Sequence, residues 1–239
     1  METTDARHAL LARLIDHAPM FPPASLAPAE ALAEDARAAA SPHAFMLARL
    51  VWPASALADV SSYERALSVA LDAPLPDDAR VEAIELPPDF DLDAIPAAAE
   101  VYVEVRLDDE LETQLEAIER RGLRAKVRCS GAPARLGWFM LECRARGIAY
   151  KATAGLHHAF RTNGEYGFLN LLAAAVFLDE DALYDDDRER FEIRPEGFRW
   201  GSRIAEPNEI VAARRLRLRS IGSCSFFEPV DELDALGVL

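Results

Sequence analysis

The sequence predicts an α/β fold of the (β/α)8-barrel (TIM-barrel-like) class, and three observations carry that expectation. From Phe45 onward, short apolar strand candidates alternate with amphipathic helices. About eight such strands can be counted, the number that closes a parallel barrel. Several of them carry charged residues near their C-terminal ends, where parallel sheets and barrels present their active sites. At 239 residues the chain has the length of such a barrel and can bury a substantial core.

The first elements read as helices. Residues 5–17 carry Leu10, Leu11 and Leu14 at helical spacing, Pro22, Pro23 and Pro28 interrupt the chain, and an alanine-rich helix follows over 30–40. Residues 1–43 are therefore expected to form an N-terminal helical extension, a lid or plug too small to fold alone, ahead of a barrel domain spanning 44–239. Strands are expected at 46–52, 67–72, 81–86, 101–106, 123–129 and 149–154, with a weaker one in 190–200 and a last one at 221–226. The helix expected at 108–121 has acidic residues in its first turn, Leu111, Leu115 and Ile118 on one face, and Gly122 as its stop. That at 132–146 has Pro133 in its first turn and Gly147 just past its end. Further helices are expected at 165–178, 207–219 and 229–236. The 73–80 connection is too short for a full helix, so an irregular barrel stays as open as a regular one.

Composition narrows the function. Hydrophobic residues at 51% and charged residues at 28% describe a soluble globular protein, and a net charge of −15 argues against a nucleic-acid binder. The N-terminus lacks the layout of a signal peptide, and no apolar run is long enough to span a bilayer. Cys129, Cys143 and Cys224 are odd in number and widely spaced, which fits a reduced cytoplasmic protein. The expected partner is a small, anionic molecule, with no nucleic acid, no membrane, no cofactor and no metal. Self-association into a homo-oligomer stays open.

Side chains alternate along a strand, which sorts the charges by face. Val101, Val103 and Val105 oppose Tyr102, Glu104 and Arg106. Leu123, Ala125 and Val127 oppose Arg124, Lys126 and Arg128. Lys151 and Thr153 share a face, and Ala83 and Glu85 oppose Ile84 and Leu86. The helix-facing side of a barrel must be apolar, so the polar sets point inward. Glu104, Lys126 and Lys151 are then expected side by side on consecutive strands. One reading is a structural salt-bridge layer. The other is a catalytic lysine, Lys151, whose amine is kept neutral by burial and by the neighbouring Lys126 charge. Lys126 and Arg128 would bind an oxyanion, Glu104 would relay protons, and Glu85 and Thr153 would contact substrate.

The turn after that strand, A-G-L-H-H, offers His157 as an acid/base and His158 as a substrate contact, with at most one of the two facing the site. A metal-dependent hydrolase using either histidine with Asp72, Glu85 or Glu104 is an alternative, although no H-E-x-x-H or C-x-x-C is present. In S-I-G-S-C-S-F-F-E-P the backbone of Gly222, Ser223 and Ser225 is a candidate anion site, ahead of a short helix expected from Pro229. Glu228 counts against it, and tight packing of small residues is the competing reading.

Five stretches, F-P-P-A-S-L at 21–26, S-P-H-A-F-M-L-A-R-L-V-W-P-A-S at 41–55, K-A-T-A-G-L-H-H at 151–158, G-F-L-N at 167–170 and G-S-C-S-F-F-E-P at 222–229, together resemble an uncharacterised family of bacterial proteins. That resemblance implies no activity. A lysine on the sixth strand candidate with acids nearby is similar in architecture to class I, Schiff-base aldolases and dehydratases, which implies a lyase or isomerase acting on a carbonyl, phosphorylated or carboxylated compound. A non-catalytic ligand-binding or structural barrel is the alternative.

Overall fold

A computed structural model describes residues 5–75, 77–95, 100–129 and 132–239. Eight parallel strands close into a barrel. They are β1 (Ile15–His17), β2 (Leu47–Pro53), β3 (Leu67–Ala70), β4 (Val81–Leu86), β5 (Glu100–Val105), β6 (Arg124–Arg128), β7 (Tyr150–Thr153) and, last in the chain, β11 (Leu218–Ser223), which sits between β7 and β1. The intervening β8 (Phe191–Arg194), β9 (Gly197–Trp200) and β10 (Arg203–Ala205) form a separate antiparallel sheet.

The expected count of eight is met, with one exchange of members. The 190–200 region is not a barrel strand: the chain folds back between Arg194 and Gly197, and a short turn of that kind joins antiparallel strands only. This small sheet packs against α1 (Ala6–Leu11), α5 (Phe168–Phe177) and α6 (Pro207–Leu216). Its place in the barrel is taken by β1, from the segment expected to be all helix. Asp5 caps α1 by accepting from the His8 amide at 2.7 Å, the helix stops after Leu11, and Arg13 turns the chain with φ of 49° into β1. Because β1 pairs with both β11 and β2, Ile15–His17, from within the expected extension, is the strand that closes the barrel.

The remaining helices follow their signals. They are α2 (Pro28–Ala39), α3 (Leu111–Arg120), α4 (Pro133–Arg146) and α7 (Phe227–Ala235). Gly147 caps α4 with φ of 66°, a conformation that costs glycine nothing. Among the described residues, the connections from β3 to β4 and from β4 to β5 contain no helix, so the barrel is irregular on that side. The outward strand faces are apolar as parity requires: Leu50, Trp52, Val69, Ile84, Val103, Val127 and Ala152 are all buried in the layer between sheet and helices. Phe139 of α4 meets Tyr150 of β7 edge-on at 5.1 Å, an aromatic contact worth about 1 kcal/mol beyond its buried area. No helix among the described residues is long and apolar enough to cross a membrane.

Candidate active site at the C-terminal mouth

The inward strand faces assemble a buried chain of alternating charge. In the β5–β6–β7 register Glu104 pairs with Lys126 and Lys126 with Lys151, as the strand parity predicts. Lys126 Nζ contacts Glu104 at 2.9 Å and Glu85 Oε2 at 3.0 Å. Lys151 Nζ donates to Glu85 Oε1 and to Asp16 Oδ2, both at 2.6 Å, and lies 5.6 Å from the centre of the Tyr102 ring. Ser68 and Ser220 donate to Glu85 and Asp16 in turn, at 2.8 and 2.7 Å. The chain thus reads Asp16, Lys151, Glu85, Lys126, Glu104. Asp16 Oδ1 is buried with no hydrogen-bond partner among the described residues.

This geometry reverses the expected tuning of Lys151. Burial alone would favour the neutral amine, but the charges and hydrogen bonds of Asp16 and Glu85 outweigh it and hold the lysine pKa above its ordinary value. Glu85 is held well below the usual carboxylate range: burial opposes its charge, and Lys151 and Lys126 more than offset that. The two lysines repel each other, but Glu85 lies between them and binds both, and with Asp16 it outweighs that repulsion at Lys151. Fully buried and ion-paired on two sides, Lys151 is an ammonium ion at neutral pH, and imine formation requires a free amine.

Above this chain, at the C-terminal ends of the strands, lies a cavity of about 340 Å3. Its polar lining includes Glu85, Lys126, Arg128, Lys151, Thr153, His157, Gly222 and Ser223, and Phe21, Pro22, Pro23, Val51 and Leu156 supply an apolar side. Glu104 is not part of that lining and serves to hold Lys126. Arg128, at the end of β6, is exposed and makes no hydrogen bond or ion pair among the described residues. The stretch expected to continue from it, Ser130 and Gly131, lies outside the described residues.

Past β7 the chain turns through Ala154 and Gly155, both with positive φ, and the turn brings His157 to the cavity rim. His157 Nδ1 meets Glu228 Oε2 at 2.7 Å. A carboxylate can only accept, so Nδ1 carries the proton of this contact, and in the neutral ring Nε2 is the nitrogen that presents a lone pair. His158 does not reach the cavity; its Nδ1 lies 3.6 Å from Glu232 Oε2 on an exposed groove outside the mouth. Adjacent residues point different ways, and one histidine of the pair faces the site.

The Gly222–Ser225 segment divides. Gly222 and Ser223 line the cavity, while the Ser225 hydroxyl accepts from the Glu228 amide and its carbonyl accepts from Ser223 Oγ at 2.6 Å. Ser225 therefore tethers the first turn of α7, which begins at Phe227, and does not line the cavity. The absence of a side chain at Gly222 has a packing cause: a β-carbon there would stand 2.8 Å from Thr153 Cγ2. Cys224 lines the cavity but burial raises its thiol pKa, which keeps it protonated and unreactive.

Asp72, offered as a metal ligand, accepts from the amide and hydroxyl of Ser55, and Glu85 and Glu104 belong to the lysines. Among the described residues, no group of three or more histidine, cysteine, aspartate or glutamate side chains is placed to hold a metal ion. Sequence reasoning missed Asp16, and also a second buried group on the outer side of β1. There His17 Nδ1 meets Asp35 at 3.0 Å, and Asp35 also accepts from Tyr63 and Arg65. The signal available was the I-D-H triplet itself, charged residues in a segment otherwise apolar, but three residues show no period.

No protein-family model matches the chain, and no curated protein and no solved structure matches it. Function therefore rests on the side chains just described.

Proposed function

We propose that the C-terminal mouth binds a small carboxylate- or phosphate-bearing molecule and that His157, oriented by Glu228, moves a proton on it, as in a lyase or isomerase that works without an imine. The observation that carries this reading is the His157–Glu228 pair at 2.7 Å on the rim of a cavity that Arg128 also lines, its guanidinium without a partner among the described residues. Arg128 supplies a planar fork for an oxyanion, and the apolar side made by Phe21, Pro22 and Val51 receives the carbon skeleton. Lys126 and Lys151 keep their protons, their charges are matched by Glu104, Glu85 and Asp16, and the ion chain forms a rigid floor beneath the ligand. His157 Nε2 takes a proton from an activated C–H or O–H, and Glu228 stabilises the imidazolium that results.

The test is a thermal-shift screen of small phosphates, carboxylates, keto acids and aldehydes, then proton NMR of each binder in D2O with catalytic amounts of protein. Arg128→Gln is expected to weaken binding. His157→Gln is expected to keep binding and to slow C–H exchange by about 100-fold or more. Exchange that persists in His157→Gln overturns the assignment. Binding with no exchange in the wild type supports the ligand-binding barrel that lacks catalysis. A borohydride-trapped adduct that maps to Lys151 would restore the imine.

A further inference from the structure

The opposite, N-terminal end of the barrel holds another cavity, of about 290 Å3. Five arginines border it: Arg13, Arg49, Arg214, Arg215 and Arg219. In a chain of net charge −15 this is a local reversal of sign. The carboxylates within reach do not balance it. Glu100 is shared by Arg49 at 2.8 Å, Arg219 at 3.0 Å and Arg124 at 3.1 Å. Glu82 is shared by Arg13 and Arg49, both at 3.1 Å. Asp16, which also borders the cavity, pairs through Oδ2 with Lys151, and its charge also favours the protonated Arg49 and Arg214, so it is shared among three cations. Arg214 bonds no carboxylate among the described residues: its guanidinium donates to the carbonyls of Leu10, Ala12, Arg13, Leu218 and Arg219. The Arg215 side chain is exposed and has no hydrogen-bond or ion-pair partner among the described residues, while its carbonyl accepts from Arg219 Nη1 at 3.4 Å.

A purely structural role explains Arg214, which ties α6 to the turn between α1 and β1. It does not explain why Arg49, Arg215 and Arg219 border the same space with only Glu100, Glu82 and a shared Asp16 as carboxylates in reach among the described residues. Crowded like charges oppose the folded state, and a counter-anion removes that cost. Burial, with Arg219 adding to it, pushes the Arg214 pKa down to about 10, so the group still carries its charge at neutral pH. Arginine forks match the paired oxygens of phosphate and carboxylate groups, and the cavity is sized for a small ligand.

We propose that this N-terminal cavity is a second binding site, for a small multivalent oxyanion, separate from the C-terminal mouth. Neither Arg215 nor Arg219 borders the mouth, and Arg128 does not border this cavity, so the two sites can be tested apart. The experiment is calorimetric titration of the full chain at low ionic strength with pyrophosphate and, separately, with citrate. Binding of either supports the site, and the preferred one identifies phosphate or carboxylate as its chemistry. Arg215→Gln, whose partnerless side chain leaves folding intact, and Arg219→Gln are each expected to weaken binding about tenfold, with Arg128→Gln unchanged. Circular dichroism verifies the fold of each variant. Failure of both anions to bind the wild type overturns the proposal. So does affinity that is unchanged in Arg215→Gln and Arg219→Gln, or lost in Arg128→Gln.

Discussion

Replacing Lys151 with methionine keeps most of the buried stem and removes the charge at the centre of the barrel. In the native interior two lysines face three carboxylates, and Lys151 bonds Asp16 and Glu85 at 2.6 Å each. Without it Lys126 alone faces Asp16, Glu85 and Glu104, and the nearest cation to Asp16 within the chain of charges is gone. Removing one member of a buried ion pair costs about 3–5 kcal/mol, because the partner's charge stays behind unpaired. For a chain of this length each kcal/mol lowers Tm by about 2–4 °C, so a drop of roughly 6–20 °C is expected at neutral pH. The sign against pH follows from the two shifts. Lys151 has a raised pKa, so its contribution is complete below the ordinary lysine value of 10.5 and is lost only as pH rises beyond it. Glu85 has a lowered pKa, so its contribution is present above the ordinary 4.5 and is lost as pH falls below that. The wild type therefore has a plateau between these values, and the penalty in Lys151→Met shrinks toward acid pH, where protonation relieves the stranded carboxylates. Calorimetric melts across pH 4–9 read this directly, and Lys151→Met with Asp16→Asn is expected to regain part of the loss. A single variant whose Tm stays within about 2 °C of wild type at every pH would refute the ion chain as a stabilising unit.

Gly222→Val places a β-carbon 2.8 Å from Thr153 Cγ2 and is expected to cost about 1–3 kcal/mol, with much of it recovered when Thr153→Ser removes that methyl. Equal stability of Gly222→Val and wild type in urea melts would show that the mouth yields there. Asp35→Asn weakens a buried cluster in which burial opposes the carboxylate but His17, Arg65 and Tyr63 hold its pKa below the usual value. A loss of about 1.5–3 kcal/mol at pH 7 is expected. Because the lowered pKa makes the native contribution vanish as pH falls below about 4, the gap between wild type and variant should close there, and a gap independent of pH would count against the charge.

Fold class was legible because the strands from β2 to β7 are long enough to show their two faces. Val101, Val103 and Val105 and their counterparts locate the helix layer, and Gly122 and Gly147 stop α3 and α4 where expected. The errors fall where an element is shorter than the period that reveals it. A strand of three residues, Ile15–His17, offers one inward side chain and no alternation. Leu10, Leu11 and Leu14 fit a helix as well as they fit a helix followed by a turn. The reverse error, counting 190–200 as a barrel strand, came from apolar alternation that a hairpin shares with any half-buried strand.

Site chemistry was legible up to the edge of each strand pair and no further. Parity places Glu104, Lys126 and Lys151 in a row because their strands are consecutive in both sequence and space. Asp16 reaches Lys151 from 135 positions earlier in the chain, through the closure that sets β1 beside β11, and Glu85 reaches it across the barrel interior. Those two contacts decide the outcome. With Lys126 counted as the dominant neighbour, Lys151 would be a neutral nucleophile; with two carboxylates at 2.6 Å, it is an ammonium ion fixed within the ion chain. The sign of a buried charge depends on every partner that closure brings to it, so a row read from adjacent strands names the participants and leaves their protonation to the far side of the barrel. On the proposed reading the chemistry sits above the buried lysine, at His157, whose Nδ1 meets Glu228 and whose Nε2 has no partner among the described residues.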